Sequence, residues 1–96
     1  PIGKSILTTK YYFTVNPNNL LPSRSIVDAL TGSYPTDMSA RVLASVFYRA
    51  LDRQLPNADF KRLSLEHLEQ AIRFSPKNEP GIRDAFNNAQ PGQWIL

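Results

Sequence analysis

Residues 37–55, DMSARVLASVFYRALDRQL, decide the fold. The stretch has no Gly or Pro. Thr36 or Asp37 stands ready to cap its start, and Pro56 lies just beyond its end. At roughly 100° per residue, Ala40, Val42, Leu43, Val46, Phe47, Ala50 and Leu51 fall within half the circumference. Arg41, Ser45, Arg49 and Asp52 take the other arc, with Arg53 at the border between the two. So wide an apolar arc predicts a long helix acting as the central beam of a core.

Downstream, the pattern predicts two more helices. One runs from Asn57 or Ala58 to Ser75, in one piece or in two with Ser64 capping a restart. Leu65, Leu68, Ala71 and Ile72 give its buried stripe. Arg73 sits in its last turn, where a cation meets the negative helix end, and Ser75-Pro76 closes it. Glu69 and Arg73, four apart, are expected to form a surface ion pair. The next helix opens at Pro80 and runs through Ile82, Ala85, Phe86 and Ala89. Upstream, Ser23 or Ser25 caps a short helix through Ile26, Val27, Ala29 and Leu30, which Gly32 is expected to stop.

Residues 5–15 read differently. SILTTKYYFTV is rich in β-branched and aromatic types and alternates. Leu7, Thr9, Tyr11, Phe13 and Val15 share one face; Ile6, Thr8, Lys10, Tyr12 and Thr14 share the other. Asn16-Pro17-Asn18-Asn19 then turns the chain. A strand follows from this reading, and its backbone edge needs a mate. Leu20-Leu21, the tail from Trp94 to Leu96, or the same strand of a second copy can supply one.

The expected fold is therefore α+β and mostly helical: an N-terminal strand or hairpin, then three to four α-helices. All 96 residues are expected to form a single small domain, with a strand and turn segment at 1–22, a helical core at 23–89 and an apolar tail at 90–96.

Composition removes several chemistries. The chain has no cysteine, so disulfides, zinc thiolates, iron–sulfur clusters and thiol nucleophiles are excluded. Its four glycines are scattered singly, with no phosphate-cradling loop. The acidic residues show no calcium-loop spacing. A single histidine, His67, has neither a second imidazole nor a thiol to share a metal, and reads as an ordinary helix histidine. No enzymatic activity, cofactor, metal or small-molecule substrate is expected. No apolar run spans a bilayer and no signal peptide is visible in these residues, so a cytoplasmic location is expected.

Net charge is +3 and the pI about 9.5. Four basic and two acidic groups lie in the first 48 residues, seven and six in the last 48, so neither half is a basic block. Two features still bear on polyanions. Lys10 and Tyr12 line the polar face of the strand, as in β-ribbon readers of DNA, and Arg41, Arg49 and Arg53 form a stripe along the long helix. A helix-turn-helix reading of residues 65–89 fits less well. The link from Ser75 to Glu79 exceeds the usual three or four residues, and Glu79 and Asp84 oppose phosphate.

The function expected from sequence is a small non-enzymatic protein–protein interaction or regulatory module that forms a homo-oligomer. Lys10, Tyr12, Arg41, Arg49, Arg53 and Trp94 are its candidate binding residues. The alternative is a nucleic-acid-binding protein that uses the same basic groups.

Overall fold

The computed structural model describes residues 23–90. They are mostly helical: α1 (Arg24–Ser33), α2 (Met38–Gln54), α3 (Ala58–Phe74), a 3-10 turn (Pro76–Asn78) and α4 (Glu79–Asn87). No strand occurs among the described residues. The strand expected over 5–15 and the apolar tail beyond Gln90 lie outside them.

Asp37 caps α2, its Oδ2 accepting from the Ala40 N–H at 3.2 Å. The helix ends at Gln54, ahead of Pro56, which has no N–H to continue it. This helix is the beam that its pattern promised. It packs against α1, α3 and α4, and a core lies on each side of it. On one side Val27, Ala44, Phe47, Tyr48, Leu51 and Phe60 cluster. On the other, Val42 joins Leu68, Ala71, Ile82, Ala85 and Phe86. Phe60, early in α3, thus meets the later half of α2, and Leu68 and Ala71 meet its beginning. The two long helices run antiparallel, as so short a connection requires.

The predicted polar arc of α2 is not a solvated face. Ser45 is fully enclosed and donates to the Val42 carbonyl at 2.8 Å. Asp52 is also buried, and its Oδ1 accepts from the Asn57 N–H at 3.0 Å. Asn57 in turn caps α3, accepting from the N–H groups of Asp59 and Phe60. A carboxylate near the end of one helix therefore fixes the start of the next.

Three local expectations are corrected. Gly32 does not stop α1; the helix runs to Ser33, and the Tyr34 N–H closes it on the Leu30 carbonyl at 2.9 Å. The terminator is Pro35, which offers no N–H for a further turn. Ser64 caps nothing, because α3 is continuous and the buried hydroxyl bonds back to the Lys61 carbonyl at 2.7 Å. Glu69 and Arg73 form no ion pair among the described residues. The ion pairs of α3 instead join Arg62 to Asp59 and Glu66, at 3.6 and 3.1 Å.

Candidate interaction surface

Each arginine of the predicted stripe is engaged by its own chain. Arg41, near the start of α2, donates through Nε to the Pro35 carbonyl at 2.8 Å and through Nη1 to His67 Nδ1 at 3.1 Å. Arg49 lies 5.4 Å over the Phe86 ring, a cation–π distance, with Nη1 3.6 Å from Asp52 Oδ2. Its Nε is buried and has no hydrogen-bond partner. Arg53 donates to the Ala89 carbonyl at 2.6 Å, just past the end of α4, where the helix dipole favours a cation. The structure thus divides the stripe: Arg41 serves the α1–α2–α3 side and the other two serve α4. Lys10, Tyr12 and Trp94 lie outside the described residues.

A polar cluster that sequence reasoning missed joins the first three helices. Tyr48 is fully buried, yet its hydroxyl donates to Asp28 Oδ1 at 2.6 Å and accepts from Arg24 Nε at 3.2 Å. Burial first, and then the bond to the carboxylate, push this phenol up to about 12, so it stays protonated. The Arg24 guanidinium sits 5.7 Å from the Tyr48 ring and 5.8 Å from that of Phe60. The Tyr48 ring lies nearly parallel to the His67 imidazole, 5.9 Å between centres. His67 is buried rather than an ordinary exposed helix residue. The available signal was the (i, i+4) spacing of Arg24 and Asp28, which aims both at one neighbour on α2.

Guanidinium groups only donate, so the bond from Arg41 makes His67 Nδ1 an acceptor and places the neutral ring's proton on Nε2. Burial, and then the Arg41 charge, hold the imidazole below its ordinary 6.5. No group of three or more acidic or imidazole side chains capable of holding a metal occurs among the described residues. No helix among them is long and apolar enough to cross a membrane.

Five large apolar side chains are exposed among the described residues: Ile26, Tyr34, Leu55, Leu65 and Phe74. Val27 and Thr31 point α1 inward and are buried, which turns Ile26 outward at 59 % exposure. Leu30, half-buried, follows four residues on, and Tyr34 at 48 % exposure follows after another four. The i, i+4 spacing sets the three along one side of α1 and its cap. The sequence pattern counted Ile26 with the apolar set of its helix. Leu65 and Phe74 on α3 are also exposed but nine residues apart, which at a helical step places them on opposite sides. Comparison with family models, curated proteins and solved structures finds no match to this chain, so the site is read from its geometry.

Proposed function

We propose that this protein is a non-enzymatic interaction module that self-associates, and that the outward side of α1 belongs to its contact face. The observation that carries the reading is the exposure of Ile26 and Tyr34 along one side of a helix whose other side is committed to the core. Aromatic and large aliphatic side chains shown together favour contacts with protein. A second copy is the proposed occupant because the strand expected over 5–15 needs a partner edge and lies only a few residues ahead of α1. Lys10 and Tyr12 on that strand, and Trp94 in the tail, belong to the same proposal.

The nucleic-acid reading draws less support. Arg49 is paired with Asp52, and Arg41 and Arg53 are held to carbonyls of their own chain, which fixes their guanidinium groups in separate places. Arg83, the cation of the would-be recognition helix, is paired with Glu79 at 2.8 Å. Phosphate neutralisation needs several free cations on one face.

Light scattering over a dilution series of the full chain tests the proposal. The expected result is a dimer that dissociates on dilution, and more readily in Ile26→Glu. A monomer at every concentration overturns self-association. Retention on heparin that falls steeply with salt would favour the polyanion reading instead.

A further inference from the structure

The geometry points to His67 as a pH-responsive latch that ties α3 to the start of α2 and to the loop between α1 and α2. Arg41 is the moving part. One guanidinium grips the Pro35 carbonyl through Nε at 2.8 Å and the His67 ring through Nη1 at 3.1 Å. The second contact requires a lone pair on Nδ1. Protonation there removes the acceptor and leaves two cations where a hydrogen bond had been.

The neighbouring charges do not soften this change. From α2, Arg41 has no carboxylate partner within 4 Å among the described residues. From α1, Asp28 attracts a proton to the ring, but its oxygens are held by the Tyr48 hydroxyl and lie near Arg24. From α3 itself, Glu66 acts in the same direction and is engaged by Arg62 at 3.1 Å. The stacked Tyr48 stays neutral throughout this range. Burial and Arg41 together outweigh the two carboxylates, so the ring favours its neutral form more in the fold than in the unfolded chain.

The sign of the pH effect follows. The neutral ring's contribution to stability is full above 6.5. It is lost as the pH falls below that value, where the unfolded chain takes up a proton before the folded one does, until the folded ring also titrates. Only one histidine exists, so no other imidazole contributes in this window. Charging His67 repels Arg41, and the hold on Pro35 goes with it. The loop from Tyr34 to Asp37 then keeps its own backbone bonds but loses its tie to α3.

The experiment is an NMR titration of the intact chain from pH 8 to about pH 5, below the unperturbed imidazole value. It follows the His67 ring and the amides of Tyr34, Thr36 and Asp37. The expected result is a His67 midpoint below 6.5, with the loop amides shifting at the same midpoint. His67→Gln keeps a neutral acceptor and cannot titrate, so the loop shift should vanish. Arg41→Met should bring the His67 midpoint back toward 6.5 and uncouple the loop. A midpoint at or above 6.5, loop amides that ignore His67, or a loop transition surviving in His67→Gln would each overturn the latch. If the glutamine variant does not fold, the natural chain and Arg41→Met still decide between these outcomes.

Discussion

α2 and α3 are the same length, seventeen residues, and their patterns look alike, yet the fold treats them differently. α2 buries residues around most of its circumference, including Ser39, Ser45 and Asp52, whereas α3 buries one stripe and keeps a charged outer face. The difference lies in neighbours. α2 is packed by α1, α3 and α4, and α3 by α2, α4 and the 3-10 turn, leaving Lys61, Arg62, Leu65 and Glu66 exposed. Enclosure favours internal partners for the polar groups of α2, because an unpaired buried polar atom costs about 1–3 kcal/mol, and only Ser39 Oγ and Arg49 Nε are left without one among the described residues. Ser45, Tyr48 and Asp52 each have one.

Truncation should separate the two helices most sharply. Phe47→Ala, at a fully buried position against Tyr48, should cost about 3–5 kcal/mol in urea unfolding. Leu65→Ala on the open side of α3 should stay within about 0.5 kcal/mol. Equal losses at the two sites would break the comparison. Next in size, Asp52→Ala leaves the Asn57 N–H without its acceptor. A loss of about 1–3 kcal/mol is expected, with faster amide exchange in the first turn of α3. Were Asp52 merely part of a solvated face, neither measurement would move.

A smaller loss, about 1 kcal/mol, is expected of Tyr48→Phe. It keeps the ring packing, while Asp28 and Arg24 are exposed enough to recover water. A cost as large as that of Phe47→Ala would mean that the hydroxyl, not the ring, organises this side of the core. Gly32→Ala should act in the opposite direction. The glycine is inside α1, and a Cβ there would meet nothing within 4 Å. A gain of about 0.5–1 kcal/mol in stability is expected, since alanine restricts the unfolded chain and favours helix. Destabilisation would instead restore Gly32 as a helix stop.

Where elements begin and end was largely readable in the sequence. Asp37, Asn57 and Ser23 cap as their side chains allow, and the prolines punctuate. The α2 beam was readable because its apolar arc is too wide for one contact. The environment of its polar arc was not. A helical wheel gives directions but not the number of neighbours, so nothing in it marked Asp52 and Ser45 as enclosed. Gly32 misled for a related reason: a glycine stops a helix through backbone geometry, and here Pro35 sets the boundary three residues later. His67 read as an ordinary helix histidine, because its burial and its bond to Arg41 depend on α2 and α3 being antiparallel neighbours, with the two residues 26 positions apart in sequence.

The bond from Arg53 to the Ala89 carbonyl joins positions 36 apart. Most other packing links elements that follow one another along the chain, so the α2–α3 hairpin can assemble early while α4 must wait for a larger loop to close. α4 is then expected to dock after that hairpin has closed. Exchange of the Ile82 and Phe86 amides running well ahead of those of Phe47 and Leu51 would mark that order of events.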